Sequence, residues 1–334
     1  MQDDERDYYG RQYWFKHQVD DLGYTDIVTR ARTDLPERCL HWLQAVLKYK
    51  LPPAQVLELG SAHGGFVALL RAAGFAARGL ELSPSIVQFA KETFDVPMLL
   101  GPIETQEIHN GCLDVIALMD VIEHLPDPVG TMRHCLKLLK PDGVLIIQAP
   151  KYQIKKTYAE LEAGKDRFLE HLKPSEHLYL FSETSIRQLF YKLEAAHLAF
   201  EPAIFAHYDM FLVVSRAPLV CFSPQKIQQT LNLTPQGRLL QATLDLDNQL
   251  RDLKVRYAES EHDRAARLAN MQTLEKALEK SKNDRTQCFG VIKTQSQKNT
   301  RLRALFKHFN NSLPHRLLRR FDQRSLTESQ QPTT

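Results

Sequence analysis

The chain has few cysteines and none in a metal-binding spacing. Cys39, Cys112, Cys135, Cys221 and Cys288 are scattered over 334 residues without a C-x-x-C pair. That argues against a zinc site or a disulfide framework and fits a reducing cytoplasm. Long hydrophobic runs are also missing. The most apolar long window, residues 203–222, contains His207, Asp209 and Arg216, so no membrane span is expected. The first residues, Met-Gln-Asp-Asp-Glu-Arg-Asp, are acidic and lack an apolar core, so no signal peptide is expected. Acids are absent from residues 291–320, which hold eight basic residues: Lys293, Lys298, Arg301, Arg303, Lys307, Arg316, Arg319 and Arg320. The net charge of +3 thus divides into a basic tail and a remainder at −5. Such a tail suits an anionic partner.

What is present begins with ordinary globular composition, 43% hydrophobic and 25% charged. The most informative stretch is 56–66, Val-Leu-Glu-Leu-Gly-Ser-Ala-His-Gly-Gly-Phe. An apolar run carrying one acid, Glu58, breaks into small residues before a new periodic segment starts. This is how a buried parallel strand reads when it turns through glycines into a helix. Gly60 and Gly64 permit backbone angles closed to other residues, and the unpaired N–H groups of the helix start point into the same space. A small-molecule crevice at the carboxyl end of a strand is expected.

From 56 to about 150, strands alternate with helices. Strands are expected at 56–59, 76–82, 97–100, 113–119 and 144–149. Gly74 reads as a helix stop, and Ser83 with Pro84 as a helix start. This pattern predicts an α/β, Rossmann-like doubly wound sheet, covered on both faces. It is mostly parallel, with an antiparallel edge from strands near 198–205 and 210–215. Residues 151–180 break the rhythm and read as a cap insertion. A helix follows, with Ser182 as its N-cap.

The expected organisation has four parts. Residues 1–45 form an aromatic, helical lid segment, 46–220 the ligand-binding domain, 225–280 a helical coiled-coil-like segment, and 281–334 a basic amphipathic tail, partly disordered. Leu239, Leu246, Leu250, Leu253 and Tyr257 follow three- and four-residue steps, as do Met271, Leu274 and Leu278. Ser260, Arg264 and Arg267 interrupt the seam between them, and 281–300 reads as a polar linker.

Two cofactors suit the glycine loop. Gly60-x-Ala62-x-x-Gly65, with Glu81 at ribose-binding distance, is a degenerate dinucleotide fingerprint and points to a nicotinamide enzyme. Glu58 points elsewhere, because a carboxylate under the loop would repel a pyrophosphate and attract a ligand with a positive end.

The sequence resembles the class I S-adenosylmethionine-dependent methyltransferases. The likeness rests on Glu58-Leu-Gly60-Ser-Ala-His-Gly64, on Glu81 at the end of strand two, on Met119-Asp-Val-Ile-Glu-His-Leu-Pro-Asp-Pro128, and on Leu139-Lys-Pro-Asp-Gly-Val-Leu-Ile-Ile147. Residues 176–182 are similar to the branch that methylates quinone precursors, sugars and other natural products. The resemblance spans roughly 40–215 and implies S-adenosyl-L-methionine as cofactor. It also implies that Glu58 and the backbone of Gly60, Ser61, Ala62, His63 and Gly64 hold the methionine moiety. Glu81 would take the ribose hydroxyls, with Leu82 and Ser83 beside it. Ile103 and Glu104 would flank the adenine, and Asp120 with Val121 the methionine end. Ala62 stands where glycine is frequent, and Pro102 where many relatives carry an acid.

Methyl transfer from a sulfonium needs alignment and exclusion of water, and a hydroxyl acceptor also gains from a general base. His124 and His177 are the candidate bases, with His171 behind them. Glu123, His124 and another acid are too loose a set to assign a metal from sequence. The expected substrate is a small-molecule or glycan-type acceptor, methylated at oxygen. The aromatic run Tyr8–Phe15 suits a lid over the site. Self-association is expected through 239–278, and an anionic membrane surface or protein partner through 291–320; nucleic acid is disfavoured. The expected location is cytoplasmic, peripheral to the membrane if the tail binds it. A nicotinamide oxidoreductase and a non-catalytic scaffold on a vestigial fold stay open as rivals.

Overall fold

The computed structural model describes residues 25–152, 156–173 and 176–312. The aromatic run Tyr8–Phe15 and the last ten residues lie outside them. The chain divides into two units, Met1–Arg251 and Asp252–Thr334.

Among the described residues, the first unit begins with α1 (Ile27–Asp34), a π-helical turn at Leu35–Cys39 and α2 (Leu40–Tyr49). Asp26 caps α1 by accepting from the Val28 and Thr29 amides at 3.0 Å each. The alternating part follows as β1 (Gln55–Leu59), α3 (Gly65–Ala72), β2 (Ala76–Glu81), α4 (Pro84–Phe94), β3 (Met98–Leu100), β4 (Leu113–Met119), α5 (Pro128–Leu138) and β5 (Leu139–Pro150). After the cap, which holds α6 (Tyr158–Ala163), come α7 (Glu183–Lys192), β6 (His197–Glu201), β7 (Asp209–Ser215) and α8 (Pro224–Leu231).

The seven strands lie in the order β3-β2-β1-β4-β5-β7-β6. The first five are parallel, and β7 runs antiparallel between β5 and β6. The expected fold class is therefore the observed one, antiparallel edge included. Side chains alternate across the sheet as the pleat demands. Val56, Val115 and Ala117 enter the core on one face, and Leu57, Leu59, Ile116 and Leu118 the core on the other. Both faces being covered explains why these strands read as near-continuous apolar runs.

Several boundaries differ from the sequence reading. β5 begins at Leu139, because Leu139 pairs with Leu113 before a register shift to the Val115–Val144 pair. The Pro-Asp-Gly turn is thus absorbed into a bulged strand. Ser83 and Ser182 cap α4 and α7 as their sequences predict, accepting from Ile86 at 3.4 Å and Ser185 at 3.1 Å. In the cap, Leu161 and Phe168 form a small core with Tyr208, the residue before β7.

The last helix, α9 (Pro235–Ser312), starts in the first unit, where Leu240 and Leu244 join the core, and continues through the second. The linker expected over 281–300 is helix. That segment is polar but contains no proline and only Gly290, and polarity alone does not stop a helix.

Candidate active site

The carboxyl ends of β1, β2 and β4 converge on a cavity of about 1470 Å³. Its floor is the turn after β1. Gly60, Ala62 and Gly64 have φ of +64°, +45° and +80°. A Cβ on Gly60 would stand 2.6 Å from Val121 Cγ2, and one on Gly64 would stand 2.9 Å from Ala90 Cβ. Both glycines are required by φ and by packing together. Ala62 takes the same left-handed region with a side chain, which strains the loop.

Glu58, at 3% exposure, lies beneath this turn, and its Oε2 has no hydrogen-bond partner. Burial, and then the nearby Glu81, push its carboxyl well above the usual carboxylate range. Glu81 is buried too, and burial raises it. Three amides oppose that shift by donating to its carboxylate: Leu82 (2.9 Å), Ser83 (3.2 Å) and Ala62 (3.1 Å). Glu81 thereby joins the tip of β2 to the glycine loop. The Ser61 amide donates to the Leu80 carbonyl at 3.1 Å, closing the same junction.

The His63 side chain is occupied by bonds within the protein. The Gly65 amide donates to its Nδ1 at 3.1 Å, so Nε2 carries the proton and donates to Asp34 Oδ2 at 3.1 Å. The histidine ties the loop to α1. Ile103 is buried on the cavity wall, and Glu104 Oε1 accepts from Thr131 Oγ1 at 2.6 Å.

Asp120, at φ +58°, follows β4. Its carboxylate accepts from Gln148 Nε2 (3.1 and 3.3 Å) and from Arg38 Nη1 (3.2 Å), and makes no N-cap for the turn after it. Gln148, fully buried, accepts from Trp42 Nε1 at 2.9 Å. The chain Trp42–Gln148–Asp120–Arg38 connects α2 and the turn before it to two strand ends. Nothing local in the sequence signals it, because its members are 28 to 106 residues apart.

A second cluster faces the same cavity. The Nδ1–H of His124 donates to the Glu176 carbonyl at 2.8 Å, and that of His177 to the His171 carbonyl at 2.7 Å. Each ring therefore keeps a lone pair on Nε2. The rings sit 4.8 Å apart, edge to face. Burial, then His177, lowers His124 to about 4, and burial also lowers His177. Glu123 stands beside them at 1% exposure, with neither carboxylate oxygen partnered, and burial followed by Asp120 pushes it well up. One ligand-type atom from each of Glu123, His124 and His177 lies within 4.8 Å of the others. Neutral imidazoles, each held through Nδ1 by a carbonyl, beside a desolvated carboxylate, form a donor set suited to a divalent cation. His171, Phe205, Tyr208 and Asp209 close the far wall; Asp209 is lifted to about 8 by burial and then by Asp120.

A family model described as a methyltransferase domain matches residues 31–195, which hold the loop, both clusters and the first five strands. The chain belongs to the class I S-adenosylmethionine-dependent methyltransferases. A curated relative from Xanthomonas campestris pv. campestris, named as a ubiquinone biosynthesis O-methyltransferase, is 27% identical over 165 residues, 43% of this chain and 69% of the relative. One of the same name from Haemophilus ducreyi is 26% identical over 133 residues, 37% of this chain and 56% of that one. A solved magnesium protoporphyrin IX methyltransferase from Synechocystis, with S-adenosylhomocysteine bound, aligns over 64% of this chain and 98% of its own at 19% identity and a TM-score of 0.45. This methyltransferase uses S-adenosylmethionine as its methyl donor, and the nicotinamide and scaffold readings gain nothing from these matches.

The residues present fit that donor chemically. The crevice offers a buried carboxylate oxygen without a partner to a ligand whose amino-acid end is cationic. It offers a second acid, held open by three amides, one strand away.

Proposed function

We propose that this methyltransferase methylates a hydroxyl of a small-molecule or glycan-type acceptor, with a divalent cation held by Glu123, His124 and His177. The observation that carries the reading is the Glu123 carboxylate, buried and unpartnered beside two neutral histidines on the wall of the glycine-loop cavity. A buried carboxyl with neither oxygen hydrogen-bonded is costly, and a cation bound between it and the two imidazoles would both satisfy it and favour its ionised form. The curated relatives, named as O-methyltransferases, add support for oxygen as the methylated atom.

In this reading the backbone of residues 60–64 and Glu58 hold the methionine end. Glu81, Leu82 and Ser83 hold the ribose. Ile103 and Glu104 lie along the adenine, and Asp120 and Val121 border the methionine chain. S-adenosylmethionine supplies an electrophilic methyl on a good leaving group. A cation at Glu123, His124 and His177 would favour the ionised form of an acceptor hydroxyl. The protein's remaining work is to align acceptor with methyl and to exclude water, which the aromatic wall of Phe205 and Tyr208 serves. Asp120, fixed by Arg38 and Gln148, holds the boundary between the two compartments.

Toward the C-terminus, the same reading includes self-association through 239–278 and a basic face over 291–320 for an anionic membrane or protein. Among the described residues no helix is long and apolar enough to cross a membrane.

The test is transfer of a labelled methyl group from S-adenosylmethionine to a panel of catechols, hydroxylated sugars and amines. Expected is labelling of hydroxyl acceptors, abolished by EDTA and restored by magnesium or manganese. Glu123→Gln should lose transfer by more than about 100-fold while still binding S-adenosylhomocysteine. Labelling of amines alone, or indifference to EDTA, would overturn the reading.

A further inference from the structure

We propose that residues 253–309 form a parallel, in-register, two-stranded coiled coil with a second copy of this chain. The starting observation is a helix whose large apolar side chains are left in solvent. Leu253, Tyr257, Met271, Leu274, Ile292 and Phe306 are each more than half exposed, a display that marks an interaction face.

Those residues share one frame. Tyr257, Met271, Leu278, Ile292 and Phe306 are separated by multiples of seven. Leu253, Leu274, Leu302 and Phe309 form a second such series, placed so that the two alternate in steps of three and four. The first series occupies the a positions and the second the d positions of one heptad. The polar residues between the apolar blocks interrupt the seam's composition and leave its phase unchanged, so no stutter is required. The frame runs for 57 residues, about 85 Å of helix. That is about eight heptads, in which large apolar residues fill nine of the seventeen a and d positions and Ser260, Arg267, Ser281 and Gln295 are the polar d positions.

The polar a positions select strand number and direction. Asn299 lies at a, where asparagine specifies register in parallel pairs. Arg264 and Arg285 also lie at a, and each directly follows an aspartate, Asp263 and Asp284, at g. Consecutive residues on one helix do not face each other. In a parallel, in-register pair, the partner's g residue flanks the a layer, so each arginine meets an acid across the seam. Arg256 at g and Glu261 at the following e form another complementary pair. Lys298 and Arg303 are the like-charged exception. Within its own chain Arg264 pairs with the half-buried Glu261 at 3.0 Å.

The arrangement makes a chemical prediction through Cys288. This exposed cysteine falls on a d position of the same frame. Parallel, in-register pairing sets it against its counterpart at disulfide-compatible spacing, whereas antiparallel pairing separates the two.

The experiment uses the full chain. Sedimentation at micromolar concentration should give twice the 38.4 kDa chain mass. Diamide, which takes up the two electrons and two protons as the thiols join, should convert the protein to a covalent dimer. Cross-linking should vanish in Cys288→Ser and persist in Cys221→Ser, which removes the other exposed cysteine. Leu274→Glu with Leu278→Glu should raise the dimer dissociation constant at least about 100-fold and leave S-adenosylhomocysteine affinity unchanged. A monomer, including one that instead floats with phosphatidylglycerol vesicles, would overturn the proposal. So would a trimer, or a dimer that diamide does not link through Cys288.

Discussion

Replacing Glu58 by glutamine keeps the shape of the side chain and removes its charge, and its two consequences have opposite signs. In the ligand-free protein Glu58 is desolvated and faces Glu81, so its folded-state pKa lies above its unfolded value. An acid shifted that way contributes most at low pH and loses that contribution as pH rises through the unfolded and then the folded pKa. Near pH 8 the charge therefore works against folding, and the ligand-free glutamine variant should melt at or above wild type. Binding should move the other way. An ionised Glu58 gives a cationic amino-acid end a charge-assisted contact of about 1.5–3 kcal/mol, or roughly 10- to 150-fold in affinity. Titration calorimetry with S-adenosylhomocysteine measures the loss directly. In wild type, affinity should also rise with pH, and binding should release a proton, detected as a dependence of the heat on buffer ionisation enthalpy. A folded Glu58→Gln protein whose Kd stays within about threefold of wild type, a difference under about 0.7 kcal/mol, would refute the assignment of Glu58 to the ligand.

Two further outcomes follow from the strained loop and from the buried network. Ala62→Gly relieves a non-glycine residue at φ +45° and should stabilise the protein by about 1 kcal/mol, with a melting temperature at or below wild type counting against strain. Gln148→Leu strands the Trp42 N–H and takes a donor from Asp120. It should cost about 2–4 kcal/mol from unmet buried polar groups and reduce transfer more than cofactor affinity; a neutral effect on both would show that the network positions nothing.

Local signals in the sequence carried the frame of the catalytic unit. The carboxyl ends of β1 and β4, the loop glycines and the caps Ser83 and Ser182 each depend on residues a few positions apart, and each is where its signal put it. The side chains at Glu58 and Glu81 were also legible, because register with the loop places them. What escaped was long-range. Arg38 meets Asp120 and Trp42 meets Gln148 because α2 and the turn before it pack over the sheet, Gln148 meets Asp120 because β5 lies beside β4, and His63 meets Asp34 at the end of α1. Glu123 is a related case. Its residue type was visible, but the meaning of its carboxylate depends on burial and on His177, over fifty residues away. In α9 the sequence reading took polar composition for a break, although backbone continuity needed only the absence of proline.

The central claim is that the crevice at the ends of β1, β2 and β4 receives the methyl donor. Calorimetric titration of the full chain with S-adenosylhomocysteine, and separately with NADH, tests it most directly. The account predicts saturable, one-to-one binding of S-adenosylhomocysteine and no heat from NADH. Saturable binding of NADH with no heat from S-adenosylhomocysteine would contradict it.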